Sequence, residues 1–455
     1  MQDVPLLGRR PLHVADAAET PSLALSVTLA GEANKRKNMQ LKSIEDVVDY
    51  QQCTGCGVCA YIEAERYEMV DEPAYGRRPS LKPNAVKETG EAFRACPGKG
   101  LVHPSRKDPL DETSQDHPCW GPITSVYEGH ARAEDLRWVG SSGGVITALA
   151  AACVEKFGIT GVLHAAMDEN RPYLNKTVYS KTTDQIKKAA GSRYSPASPC
   201  DGLSSVEAAK GQSVFIGKPC DVAAVRMAVA ENPALTEKIG LTIAFFCAGV
   251  PSTDGLLSLL KKSGIENPED LEHLKYRGCG WPGKWEAKWS VNGETKAASL
   301  TYDESWGYLE AFRQWRCRVC VDHSGEFADI SVGDPWYREL TGNEKGSSLI
   351  IARTGRGNDF LKKAIAAGTL NLEPADATLI DRSQPNLIKS RGQLWGRLFA
   401  LKLMRAPFPK YEGFAMFRFW WAVLTMKEKI QSIGGTIKRI FRKNLRKRSR
   451  QNVMS

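Results

Sequence analysis

The rhythm of hydrophobic and polar positions changes twice along the chain. From Ser141 to about Arg391, short apolar runs alternate with stretches whose apolar residues recur every three to four positions. "ITGVLHAAM", "SVFIG" and "LTIAFFCAG" are compact apolar runs and read as buried strands. "SSGGVITALAAACVEKFG" sets Val145, Leu149 and Cys153 on one helical face, and "DVAAVRMAVAENP" reads as a second helix. Strand and helix in alternation predict an α/β sheet. Before Ser141 the chain is more polar. A loose lead-in occupies residues 1–40, a proline-dotted stretch runs from Pro73 to Asn84, and a short helix is expected just before Cys96, ending at Pro97. Beyond Arg391 the alternation gives way to amphipathic, basic helices, and no internal repeat is visible.

Charge sharpens the boundary at the end. The chain of 455 residues carries a net charge of +10. Ten Lys or Arg and one acid, Glu428, lie between Lys427 and Arg450, so that segment holds nine of the ten charges. The body is nearly neutral, which argues against nucleic acid as a partner. In "MKEKIQSIGGTIKRIFRKNLRKRSRQ", Ile430, Ile433, Ile437 and Phe441 fall near one helical face among cations. A solubilising tail or a partner-docking arm is favoured over peripheral contact with an anionic membrane. On either favoured reading, deleting the residues after Lys427 should leave the rest of the protein intact. The opening "MQDVPLLGRRPLHV" lacks the apolar core of a signal peptide, and no apolar run reaches the length of a membrane span. A cytoplasmic location follows, where twelve cysteines bind metal more readily than they form disulfides.

Those cysteines carry the candidate chemistry. "CTGCGVCA" holds Cys53, Cys56 and Cys59 with two residues between each. C-x2-C-x2-C completed by a distant Cys-Pro is the pattern of a ferredoxin-type 4Fe–4S site, and Cys96-Pro97 is the Cys-Pro pair available. Gly55 and Gly57 let backbone amides approach the sulfurs. Zinc, usually held by two C-x2-4-C knuckles, is the weaker reading, and Cys119 is a spare thiol. A second set is suggested by Cys220 and Cys247, each at or just past the end of an apolar strand, and by the pair Cys317 and Cys320. If those strands are parallel, both single thiols emerge on the carboxyl edge, where open α/β sheets bind ligands. Packing accounts equally well for Cys220 and Cys247 on spacing alone. The turn "GSSGGVIT" opens a helix: Ser141 or Ser142 can cap it, and Gly143 and Gly144 free amides for an anion. "AAGSRYSPASP" sets Arg193, suited to phosphate, beside Tyr194, suited to stacking on a flat ring, and Ser195. No general acid stands out; His164, His273 and His323 are candidates by type.

From about Pro118 to Ile380 the order "SSGGVITALAAACVEKFG … AAGSRYSPASP … VFIGKPCDVAAVRM … LTIAFFCAGVPS … RCRVCVDHSGEFADISVGDPW … GSSLIIARTGRG" resembles the beta subunit of coenzyme F420 (deazaflavin) reducing hydrogenases. That family includes hydroxymethyl chlorophyll a reductase and other ferredoxin-dependent reductases, and "CTGCGVCA … ACPGKG" resembles the ferredoxin-type segment of its longer members. The resemblance implies a non-Rossmann α/β domain holding FAD and a 4Fe–4S cluster. It implies cluster ligation by Cys220, Cys247, Cys317 and Cys320, and FAD contact by Ser142, Gly143, Gly144, Gly191, Arg193, Tyr194 and Ser195. The expected organisation is a lead-in (1–40), a ferredoxin-type 4Fe–4S domain (41–117), the FAD and 4Fe–4S domain (118–390) and a basic helical extension (391–455). The function implied is an iron–sulfur flavoprotein oxidoreductase, with two 4Fe–4S clusters and FAD between a donor such as ferredoxin and a small-molecule acceptor. An electron-transfer subunit without its own substrate and a zinc-stabilised interaction protein are the alternatives, and a homo-oligomer stays open.

Overall fold

Ser43 caps the first helix of the computed structural model, α1 (Ile44–Asp49), by accepting from the Asp46 amide at 3.2 Å. The residues described are 40–103, 114–339 and 344–449; the lead-in expected for 1–40 lies almost wholly outside them. Helix α2 (Val58–Ile62) follows, then the antiparallel hairpin β1 (Tyr67–Glu72) and β2 (Gly76–Leu81). The helix expected before Cys96 is the single turn α3 (Glu91–Arg94).

The α/β block begins with β3 (Ser125–Ala131), α4 (Val145–Lys156), β4 (Gly161–Met167), β5 (Asn175–Ser180), β6 (Ser213–Gly217), α5 (Pro219–Glu231) and β7 (Ile239–Phe245). A separate antiparallel sheet of β8 (Leu271–Lys275), β9 (Lys284–Val291) and β10 (Glu294–Thr301) follows. The short α6 (Trp315–Arg318) leads to β11 (Ile330–Gly333), β12 (Ser348–Ala352), α7 (Gly355–Ala366) and β13 (Leu370–Ala375). Eight strands make the main sheet in the order β13-β3-β12-β11-β7-β6-β4-β5. β4, β6, β7 and β11 are parallel, and the remaining neighbours are antiparallel, so the sheet is mixed. Side chains alternate between its faces. Val162 and Val214 join a core with Leu149 of α4 and Leu361 of α7, while their neighbours Leu163 and Phe215 join a core with Val222 and Val225 of α5.

The α5 side of this sheet also holds parts of the first and last described segments. Cys56, Val58 and Ala95 share that core with Leu394, Leu398 and Leu401 of α8 (Pro385–Leu403) and with Ile440 and Leu445 near the C-terminus. The described residues belong to one compact unit. Helices α9 (Met416–Val423) and α10 (Met426–Arg442) complete the extension. α10 turns Lys429, Ser432, Thr436 and Ile440 inward and leaves Ile430 and Phe441 more than half exposed. Close approach explains this choice of face. A Cβ on Gly396 of α8 would lie 2.1 Å from Ser432 Oγ, so only small residues fit at the crossing, and Trp420 Nε1 donates to that oxygen at 3.0 Å. Among the described residues no helix is long and apolar enough to cross a membrane.

One buried ion pair fastens α8 to the sheet. Arg391 donates to Glu326 and, at 2.9 Å, to the Val321 carbonyl. Burial alone would raise the Glu326 carboxyl, but the Arg391 charge and the neighbouring His103 outweigh it and hold the group at about 2. A lowered carboxylate contributes stability that is present above its ordinary value near 4.5 and is lost as pH falls toward 2. Arg391→Ala should cost about 3–5 kcal/mol by stranding the carboxylate. Urea unfolding between pH 2 and pH 7 checks the sign: Glu326→Gln should flatten the acid side of the stability curve, and an unchanged slope would show that the pair contributes nothing there.

Candidate active site

At the carboxyl ends of β4, β6, β7 and β11 lies a cavity of about 300 Å³, at the lower end of ligand-pocket sizes. One wall is aromatic. The rings of Tyr194 and Trp306 stand 5.0 Å apart, and Tyr302 stacks on Trp336 at 5.1 Å. Arg277 lies over Tyr302 and Trp336 at 5.1 and 5.3 Å, and its guanidinium makes a two-pronged pair with Asp334 at 2.7 and 2.9 Å. Asp334 keeps this buried guanidinium charged against the pull of burial. Gly140, Ser141, Ser142 and Gly144, at the turn into α4, also line the cavity.

The sequence-predicted contacts divide. Ser142, Gly144, Gly191, Arg193, Tyr194 and Ser195 all line the cavity. The two motifs meet directly: the Ser192 amide donates to Ser141 Oγ at 2.6 Å. Gly143 is turned into the sheet instead, its amide donating to Ser348 Oγ at 2.9 Å, so it offers no donor to an anion. Neither serine caps α4. The N-cap is Gly144, left-handed at φ +70, where a Cβ would meet the Leu136 carbonyl at 2.4 Å. Ser142 Oγ donates to the Ser347 carbonyl at 2.5 Å. Arg193 is not a free phosphate clamp. Its guanidinium is engaged by Asn175 Oδ1 and by the carbonyls of Pro172, Leu174 and Leu274, at 2.6 to 3.1 Å, and fixes the loop that carries Tyr194. Ser195 Oγ donates to the Tyr173 carbonyl at 3.2 Å. Composition around 271–336 did not single out Arg277, Tyr302, Trp306, Asp334 or Trp336. "GDPW" and "YDESW" supply four of these five residues.

The thiols gather as two sets. Cys59 interacts electrostatically with Cys53, Cys56 and Cys96, and burial pushes its thiol well up. Backbone amides face these sulfurs: Gly55 N donates to Cys53 Sγ at 3.3 Å, and the Val58, Ala60 and Gly98 amides face Cys56, Cys59 and Cys96. In the second set Cys220 interacts with Cys247 and Cys320, and Cys247 with Cys317 and Cys320. Val250 N donates to Cys317 Sγ at 3.4 Å, and the Gly249 amide faces Cys247. β6 and β7 are parallel neighbours, so Cys220 and Cys247 emerge on one edge, and Cys247 also lines the cavity. Among the described residues no three His, Cys, Asp or Glu side chains converge as the ligands of a single ion do. The four thiolates of a cubane bind four different irons and stand further apart than ligands of one ion. The donor set, four thiols per site with amides aimed at sulfur, fits the ligation of a cubane. Cys119 stands in neither set: it packs with Trp120, Val126 and Ile380, and burial pushes it to about 12. Of the histidines, His164 lines the cavity with its Nε2 on Ser180 Oγ at 2.9 Å, His323 places Nδ1 on the Cys247 carbonyl at 2.9 Å, and His273 is exposed on β8.

Two stretches of the chain match the family described as coenzyme F420 hydrogenase/dehydrogenase, beta subunit: residues 126–203 match its N-terminal part and residues 211–378 its C-terminal part. Together these matches span more than half of the chain. The chain belongs to the coenzyme F420 hydrogenase/dehydrogenase beta-subunit family. The coenzyme F420 hydrogenase subunit beta of Methanothermobacter thermautotrophicus is 24% identical over 262 residues, 56% of this chain and 86% of that one. The coenzyme F420-dependent sulfite reductase of Methanocaldococcus jannaschii is 24% identical over 347 residues, 72% of this chain and 48% of that one. The F420-reducing NiFe hydrogenase complex from Methanosarcina barkeri contains a chain aligned with 61% of this one and 95% of its own length, at 22% identity and a TM-score of 0.45. These relatives are oxidoreductases or their subunits, and family membership supports a redox, electron-transfer role. The family match takes in the second thiol set and the cavity lining except Gln384 and Leu387; the first thiol run and the helices α8 to α10 lie outside it.

Proposed function

We propose that this member of the beta-subunit family is an iron–sulfur flavoprotein that passes electrons between a one-electron donor, such as ferredoxin, and a small-molecule acceptor. In this reading Cys53, Cys56, Cys59 and Cys96 hold one 4Fe–4S cluster, Cys220, Cys247, Cys317 and Cys320 hold a second, and the cavity takes FAD. Cys247 carries the proposal: it stands in the second thiol set and in the cavity wall at once, so the two sites share a boundary. A flavin supplies the exchange between one-electron and two-electron chemistry. The protein's part is to present the aromatic wall to a flat ring, to screen charge with the Arg277–Asp334 pair, and to direct amides at sulfur. The relatives' names make coenzyme F420 the first acceptor to test.

Iron, acid-labile sulfide, zinc and flavin per chain, measured on protein purified without oxygen, test the reading. About eight irons, eight sulfides and one flavin are expected, because each cubane holds four of each. Zinc without flavin would leave a structural thiol protein instead.

A second reading, an electron-transfer subunit of a larger redox complex, is favoured by one surface. Trp395, Phe399, Phe417, Trp420 and Trp421 form an aromatic cluster in which Phe399, Phe417 and Trp421 are exposed. Exposed rings in contact mark a docking face. Lys429, itself turned inward, lies 4.3 Å from the Trp421 ring and supports it from beneath. Co-sedimentation with anionic vesicles, lost on Trp421→Ala, would instead assign this face to a membrane.

A further inference from the structure

Arg316 is the residue preceding Cys317 in α6, and it is 3% exposed. A buried guanidinium is costly unless anions compensate it. Among the described residues Arg316 has no carboxylate partner. Its bonds go to two carbonyls: Nη2 donates to Pro97 O at 3.1 Å and Nη1 to Val319 O at 3.2 Å. Pro97 follows Cys96 of the first thiol set, and Val319 lies between Cys317 and Cys320 of the second. Nε has no hydrogen-bond partner among the described residues. The charge of Arg316 acts on the thiols Cys320, Cys220 and Cys317 and on Cys53, and its guanidinium lies 5.8 Å from the Tyr411 ring. The two sets are contiguous by a second route as well. The Cys200 amide donates to the Cys56 carbonyl at 2.9 Å, and Cys200 Sγ donates to the carbonyl of Asp221, next to Cys220, at 3.4 Å.

We propose that Arg316 is a single buried charge shared by the two thiol sets, so that the clusters they hold are an electrostatically coupled pair whose reduction potentials it raises together. This rests on the iron–sulfur reading above. A thiolate-ligated cubane is net negative in both oxidation states and more so when reduced, so a neighbouring cation favours the reduced form. An electron passing between clusters held there would make and break no bond. A cation between them lessens the rise in repulsion that the arriving electron meets. Arg316 is thus a positioning and tuning residue, not a ligand. Arg78 provides the contrast. It too is buried with an unpartnered Nε and its charge acts on Cys53, but its guanidinium bonds run to Arg77 O and Gln314 Oε1 and not, as those of Arg316 do, to carbonyls beside both thiol sets.

The experiment is an anaerobic redox titration of the full chain, followed by electron paramagnetic resonance, on the wild type, Arg316→Gln, Arg316→Lys and Arg78→Gln. Iron content is measured first. Arg316→Gln should move the one-electron equilibrium of both clusters about tenfold toward the oxidised form, which is about 59 mV each. Arg78→Gln should move one cluster and leave the other within about twofold. A lysine ammonium is a point charge that cannot span both sets, so Arg316→Lys should shift one cluster about tenfold and hold the other. That variant carries the test if Arg316→Gln does not fold. Potentials that move in neither Arg316 variant, or only one that moves in Arg316→Gln, overturn the shared charge. A wild type without iron overturns the cluster reading itself, and is distinct from clusters whose potentials stay put.

Discussion

Cys56→Ser should lose about four irons per chain and keep the flavin. The cavity explains the second half of that result: none of its lining residues comes from 40–103. The first half follows from the position of Cys56 among Cys53, Cys59 and Cys96, with the Val58 amide facing its sulfur. A serine oxygen is a poorer iron ligand than a thiolate sulfur. The variant should lose stability as well, because Cys56 belongs to the core that contains Val222 to Val225 of α5. A hydroxyl left there without a partner costs about 1–3 kcal/mol. Iron analysis, the flavin spectrum and thermal unfolding are the measurements. Unchanged iron would remove the first thiol set from the mechanism, and joint loss of iron and flavin would mean that the two sites assemble as one.

A larger effect is expected from truncation after Lys427. The sequence led to the expectation that this segment is dispensable, and the structure reverses it. The deletion removes Ile440 and Leu445 from the core they share with Cys56 and Val58. It removes Ser432, the partner of Trp420, and Arg448, which pairs with Asp46 and, at 3.1 Å, with Asp49 of α1. Emptying one buried aliphatic site costs about 2–5 kcal/mol, and two such sites approach the whole stability of an ordinary domain. The truncated chain should be insoluble, or should unfold well below the full chain and hold little iron at the first set. A soluble truncated protein with full iron would show that the C-terminal helix only decorates the surface.

How much of this was legible in the sequence depended on what each residue faces. β6 matches "SVFIG" and α5 follows as expected, because a short apolar run ending at Gly217-Lys218-Pro219 leaves few conformational choices. The placement of Cys220 and Cys247 on one edge needed only that two neighbouring strands be parallel. The sheet β8 to β10 went unread, although Trp285, Ala287 and Trp289 alternate inward and Asn292-Gly293, both at positive φ, is a strong hairpin signal. Arg193 and Gly143 hold partners that the sequence did not show. Their type suits a phosphate or an anion, but nearby backbone and Ser348 had already claimed their hydrogen bonds. Arg316 and Arg391 were invisible because nothing local distinguishes a buried arginine from a surface one. The tail was hidden by its charge: the residues it turns inward at Lys429, Ser432 and Thr436 are the polar ones that composition assigns to water.

The chain's last described residues clasp its first. Ser449 donates its amide to the Asp49 carbonyl at 2.9 Å, and Lys410 to Glu412 lie beside Gly100 to Val102 as a parallel pair. A ribosome makes α1 and the CTGCGVCA run long before it makes the clasp. The first thiol set therefore waits, incompletely enclosed, until the residues up to Ser449 have been made. On the iron–sulfur reading proposed above, a metal bound there would be enclosed only once this clasp had formed, and a chain lacking the clasp would leave those cysteines bared to oxygen.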